Sequence, residues 1–195
     1  MRLANALAML ALAGFAATGP AGATGEILDI VTEADTARLE AYDAALEAAL
    51  ARARERGSDE DVATVEAVLD AEPLPFDGYD LTGDWQCRTM KLGGLSSLIV
   101  YGWFRCEVTD DGSGWRLEKI SGSQRTVGRF FTESATRLTY LGSFHVAGET
   151  PKPYGSGPES DQAGYAVRTG EDGFMIGLPD PYYESDFDIL ELRRR

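Results

Sequence analysis

Two cysteines, one histidine and a run of carboxylates near the C-terminus are the residues of this 195-residue chain whose types do chemistry. Cys87 and Cys106 are equidistant from the Ser96-Ser97 pair, so a hairpin turning there sets them directly opposite each other on neighbouring strands. A disulfide closing a loop of about 20 residues stabilises by roughly 3 kcal/mol in the chain-entropy account. A metal-binding or redox-active pair has less support, because there is no Cys-x-x-Cys spacing and His145 is the single histidine. The expectation is a structural Cys87–Cys106 disulfide with no metal.

A Ser-His-Asp or Cys-His arrangement would have to use His145, and no serine near it sits in a nucleophile-elbow context. Asp180, Glu184, Asp186 and Asp188 crowd the C-terminal segment, and strand alternation puts the last three on one face. A hydrolase needs two such groups in different environments across a cleft. A row on one face is instead solvated or paired with Arg125, Arg129 and Arg193. The same cluster lacks the Gly and Glu of the helix-loop-helix calcium motif. No catalytic residue and no cofactor are assigned.

Gln124, Arg125 and Arg129 form the densest donor set of the second half, within Gly122-Ser123-Gln124-Arg125-Thr126 and just after it. Two readings stay open. One is a β-turn whose Gln and Arg continue onto an outward strand face. The other is a ligand site at a barrel rim near Trp103, where a guanidinium fork grips the carboxylate or phosphate of a small anionic or amphipathic molecule.

The elements that position these residues change character at Pro73. Upstream, Leu39, Tyr42, Leu46, Leu50 and Ala53 recur at helical spacing, Gly57 can end that helix in the left-handed conformation, and Ser58 with Asp61 resembles a capping box opening a second helix with Val62, Val65, Val68 and Leu69. The expectation is a helical hairpin over 24–72 that docks on the β domain C-terminal to it. Beyond Glu72-Pro73-Leu74-Pro75, that β domain is expected over 76–195. Runs near 81–91, 98–108, 115–121, 124–132, 137–146, 164–169, 173–178 and 186–192 are rich in aromatic and branched residues, with turn signals between them. That predicts a mainly β fold: about eight antiparallel strands in a small lipocalin-like barrel or barrel-like sandwich, filled by side chains or holding one small ligand. The proline-rich segment from Ala147 to Gln162 reads as a mobile surface loop.

Arg2, an apolar stretch from Leu3 to about Ala17 and Ala21-Gly22-Ala23 read as a signal peptide over 1–23, which implies a soluble periplasmic protein after cleavage. A net charge of −14 repels phosphate backbones and anionic headgroups, so nucleic acid and membrane surfaces are not expected as partners, and no segment after the leader is apolar enough for stable membrane insertion.

Leu81-Thr82-Gly83-Asp84-Trp85 resembles the Gly-x-Trp start of lipocalin-like barrels and the first strand of serralysin-type protease inhibitors. The resemblance implies that the glycine allows close backbone approach and that Trp85 plugs one barrel end. A resemblance over more of the chain is carried by Leu81-Thr82-Gly83-Asp84-Trp85-Gln86-Cys87-Arg88, Lys91-Leu92-Gly93-Gly94, Tyr101-Gly102-Trp103-Phe104-Arg105-Cys106, Gly122 to Thr126, Tyr140-Leu141-Gly142 and Glu184 to Leu192. These blocks look like an uncharacterised exported bacterial family, domain-of-unknown-function family 4893. The resemblance implies export, an N-terminal helical part and a C-terminal β part, and it brings no activity. The expected function is an exported non-enzymatic binding or interaction protein. The alternatives are a periplasmic inhibitor or accessory protein acting on another exported protein, and thirdly a hydrolase.

Overall fold

The computed structural model describes Ile27 and residues 29–195, so the expected leader over 1–23 lies outside the described residues. Among the described residues from 33 on, three helices, α1 (Glu33–Glu40), α2 (Tyr42–Arg56) and α3 (Asp59–Leu69), precede nine strands. The strands are β1 (Gly83–Leu92), β2 (Leu98–Val100), β3 (Phe104–Asp110), β4 (Trp115–Lys119), β5 (Gln124–Thr132), β6 (Arg137–Val146), β7 (Asp161–Gly170), β8 (Gly173–Pro179) and β9 (Phe187–Arg194). All pairings are antiparallel. β1 and β3 to β9 run round in sequence order and close where β9 pairs β1, from Trp85↔Arg194 to Leu92↔Phe187. The expected eight-stranded barrel is present with one extra strand.

That extra strand comes from the expected run over 98–108, which divides in two. β2 pairs the far half of β1 (Leu92↔Leu98, Met90↔Val100) and β3 pairs the near half (Cys87↔Phe104, Trp85↔Cys106) along the same edge. Between them the register slips by one residue at Tyr101–Trp103. Since side chains alternate with period two, one extra residue moves everything after it to the other face. Phe104 and Cys106 therefore point into the barrel, whereas an unbroken hairpin would have turned them out. The reversal itself starts early, because Gly93 and Gly94, with φ of 74° and 76°, take backbone conformations costly for other residues.

Thr32 and Ser58 cap α1 and α3, each hydroxyl accepting the N–H three residues on, from Asp35 and Asp61. The expected first helix breaks at Ala41 (φ −85°, ψ 0°), which lets α1 run along β7 while α2 crosses β1, β8 and β9. Gly57 is extended (φ −74°, ψ 167°) and not left-handed. Its missing Cβ matters for another reason: one placed there would stand 2.6 Å from the Ala53 carbonyl oxygen.

The helices bury Tyr42, Ala49, Ala53, Val65 and Val68 against the outward residues Met90, Leu92, Met175, Phe187 and Ile189. At ~1.5–3 kcal/mol for each large apolar side chain fully removed from water, this second core is substantial. The barrel interior holds the first, with Trp85, Val108, Leu117, Phe130, Tyr140, Phe174, Ile176 and Leu192. Trp85 closes one end: its Nε1 donates to the Leu81 carbonyl at 3.0 Å, Phe174 meets its ring edge-on at 4.8 Å, and the Arg194 guanidinium lies 4.5 Å above it. Cys87 and Cys106 are joined, both buried.

Candidate functional site

Strand alternation brings a polar layer to the barrel end opposite Trp85. On β1 the inward series Trp85, Cys87, Thr89, Lys91 passes from apolar to polar; on β9, read inward, Leu192 and Leu190 give way to Asp188. Lys119 follows Leu117 on β4, and Thr126, Gln162 and Phe144 complete the layer from β5, β7 and β6. A cavity of about 50 Å³ remains there, room for about four water-sized groups. Its rim is made by Pro158, Glu159 and Ser160 on one side and Pro181, Tyr182 and Tyr183 on the other.

Beneath Thr126 lies Tyr140, whose ring fits only because Gly128 and Gly142 face each other across β5 and β6. A Cβ at Gly142 would stand 2.6 Å from Tyr140 Cζ, and one at Gly128 2.5 Å from it. Thr126 Oγ1 lies 2.6 Å from both Tyr140 Oη and Gln162 Oε1. An amide oxygen only accepts, so Thr126 donates to Gln162 and Tyr140 donates to Thr126. That chain leaves the Gln162 amino group as the donor end of its side chain.

Two buried lysines share the cavity with Arg125 and with the carboxylates Glu159, Asp161 and Asp188, and they differ in partners. Lys91 Nζ lies 3.1 Å from Glu184 Oε2 and 3.7 Å from Asp188 Oδ2. Lys119, 6% exposed, donates weakly to Thr89 Oγ1 at 3.5 Å and sits 4.5 Å above the Phe104 ring. Among the described residues no carboxylate comes within ion-pair distance of Lys119. Burial, with Lys91 and Arg125 against the pull of Asp188, pushes its ammonium down to about 8. Burial pushes the Asp188 carboxyl up to about 6, against Lys91, the Ser185 hydroxyl donating at 2.6 Å, and Lys119. Glu184 is held below the usual carboxylate range by the Gln124 amide and Lys91.

Of the expected site residues, Gln124 and Arg125 line this cavity. Arg125 Nε donates to the Gly122 carbonyl at 3.1 Å. Arg129 lies on the outer face, its guanidinium 2.5 Å from Asp111 Oδ2. Trp103 is also outside, between the guanidinium groups of Arg88 (4.7 Å) and Arg193 (5.0 Å). The C-terminal carboxylates do not share a face, because the strand starts only at Phe187 and Glu184 lies in a turn with φ 71°. Asp186 pairs with Arg52, Asp188 points inward, and Glu184 reaches Lys91. Among the described residues no three His, Cys, Asp or Glu side chains come together as a metal set. His145 is buried with Nδ1 unpartnered.

The segment expected to be a mobile loop borders the opening and is tied down. Asp161 accepts the N–H groups of Gly155, Ser156 and Gly157 at 3.0–3.1 Å, and Tyr154 donates to Asp35 at 2.6 Å.

Lys91 and Lys119 were missed by sequence reasoning, although a signal was present. Of 18 basic residues only Lys91, Lys119 and Lys152 are lysines, and each of the first two is in phase with an apolar inward series. Arginine serves almost everywhere that charge meets solvent. Lysine is kept chiefly for the interior.

The fold and site thus define a closed antiparallel barrel with docked N-terminal helices, an apolar centre and a small polar cavity at one end, lined by Lys91, Lys119 and Arg125 and by Glu159, Asp161 and Asp188. A family described as "Domain of unknown function (DUF4893)" matches residues 28–192, and the chain belongs to that family. No curated protein and no solved structure matches the chain.

Proposed function

We propose that the chain is an exported, non-enzymatic binding protein whose barrel mouth takes the anionic head of a small ligand. Lys119 carries this reading. A buried ammonium with no carboxylate partner is unfavourable by several kcal/mol, and an anion beside it offsets that penalty. Arg125 and Gln124 at the same cavity supply further donors for a carboxylate or phosphate, while Phe144, Leu178, Tyr182 and Tyr183 offer apolar contact to the rest of an amphipathic molecule. The Cys87–Cys106 bond supports an oxidising compartment, the periplasm after removal of the leader.

A second reading, an inhibitor or accessory protein for another exported protein, is favoured by Leu95, Ile99, Tyr101 and Trp103. These four stand exposed on one consecutive stretch around β2.

The test is calorimetry and thermal shift with acetate, succinate and inorganic phosphate, beside native mass spectrometry of protein purified without refolding. Salt-sensitive stabilisation by at least one anion is expected, weakened in Arg125→Ala and lost in Lys119→Met. No shift with any anion, together with a native mass equal to the bare chain, overturns the ligand reading. Loss of a co-purifying exported protein in Trp103→Ala would then favour the second reading.

A further inference from the structure

We propose that Lys119 is a carbonyl-reactive amine, so that the anionic ligand of the barrel mouth is a small oxo acid held as an imine. The inference rests on the anion-binding reading and goes beyond it by naming a covalent step.

Its first support is the division of labour between the lysines. Lys91 meets two carboxylates, whereas Lys119 has only a long contact to Thr89 Oγ1 and an aromatic face as neighbours. Nothing in ion-pair reach holds the Lys119 amine in its charged form, and burial with Lys91 nearby brings its loss of a proton down to about 8. The second support is residue choice. An anion alone is gripped by arginine, and the cavity already has Arg125 for that, yet its wall carries Lys119 as well in a chain that uses arginine for most of its basic positions. Lysine is the residue that can lose its proton and attack a carbonyl. The third support is Asp188, which lines the same cavity and holds its proton up to about pH 6. Finally, the cavity has room for about four water-sized groups, the size of an oxo-acid head.

The step balances without oxidant or reductant. The neutral amine forms a C–N bond to the carbonyl carbon as the C=O π pair moves to oxygen. That oxygen takes a proton, and nitrogen releases one, giving a carbinolamine. The C–O bond then breaks as Asp188 relays the remaining N–H proton to the leaving oxygen, water leaves, and the nitrogen lone pair forms C=N. Arg125 and Gln124 hold the carboxylate throughout.

The experiment incubates the full chain with glyoxylate and sodium cyanoborohydride, which reduces an imine to a stable carboxymethyl amine, and locates the adduct by peptide mapping. One adduct at Lys119 is expected, forming on the order of tenfold or more faster than at the exposed Lys152. Lys119→Arg is expected to lose the adduct while still binding glyoxylate in a thermal-shift assay. Thermal-shift binding of glyoxylate to the wild-type chain without a Lys119 adduct overturns the imine inference and leaves the anion site standing. Absence of both binding and adduct overturns the two together. Labelling confined to Lys152 or the N-terminus also overturns the inference, and because it is read on the wild-type chain it does not depend on a variant folding.

Discussion

Cys87 and Cys106 are bonded diagonally across the β1–β3 pair: Cys87 stands opposite Phe104 and Cys106 opposite Trp85, with Cα atoms 5.9 Å apart. The bond sits at the last β1–β3 ladder pair, just before β2 takes over the same edge. It therefore braces the place where the register slips. Replacing both cysteines with alanine is expected to cost about 3 kcal/mol, the entropy of a loop spanning a 19-residue separation. Urea unfolding of the double variant checks this. An unchanged midpoint would mean that the barrel seam holds the slip without help.

The helical layer meets the barrel at one tight point. Tyr42 packs between Tyr165 (4.9 Å) and Phe187 (5.3 Å), and its hydroxyl lies over Gly177 of β8. A Cβ at Gly177 would collide with Tyr42 Oη and stand 2.9 Å from Cζ. Gly177→Ala should therefore push α2 off the sheet and destabilise by ~1–3 kcal/mol, as overpacking of a close-packed site does. The checks are a lower melting temperature and faster amide hydrogen exchange in α2. Hydrogen exchange unchanged in α2 would show that Tyr42 is not the anchor.

Much of this architecture was legible because it depends on local signals. The Ser58 and Asp61 spacing marked the start of α3, and the apolar runs marked the barrel strands. The register was not legible. A symmetric turn at Ser96-Ser97 put the cysteines face to face, but Gly93 and Gly94 turn the chain earlier and one extra residue at Tyr101–Trp103 restores the inward phase. That same slip leaves Trp103 on the outer surface, far in character from the donor cluster it was expected to join. The site depended on a longer-range fact. Lys119 on β4 shares a cavity with Asp188 on β9 only once the barrel closes, and alternation within a strand cannot say which strand ends meet.

The hydroxyl chain from Tyr140 through Thr126 to Gln162 gives a test of the support beneath the cavity. Tyr140→Phe removes the donor and leaves Thr126 with one partner, at a cost of about 1–2 kcal/mol. The ring still fills the space between Gly128 and Gly142, so the fold should persist. Thermal melts would show the loss. A variant as stable as the parent would mean that water replaces the phenol at this position.

The two perturbed groups of the cavity set opposite slopes in stability against pH. Asp188 binds its proton more tightly folded (about 6) than its ordinary 3.8, so between those values the folded state carries the extra proton and stability from this group falls as pH rises. Lys119 binds its proton less tightly folded (about 8) than its ordinary 10.5, so between those values the unfolded state carries the extra proton and stability rises with pH. The groups facing Lys119 are Lys91, Asp188 and Arg125, and those facing Asp188 are Lys91, Glu184 and Lys119, so each slope reflects the whole cluster. Lys119→Met removes the buried charge, keeps an unbranched apolar chain against Phe104, and should raise stability near neutral pH. The gain over the parent should shrink as pH climbs from about 8 toward 10.5, because the parent's amine is then neutral too. Urea unfolding of both proteins across that range measures the difference directly. A gap that stays constant with pH would show that Lys119 keeps its proton in the folded barrel, and that some group outside this cavity accommodates its charge.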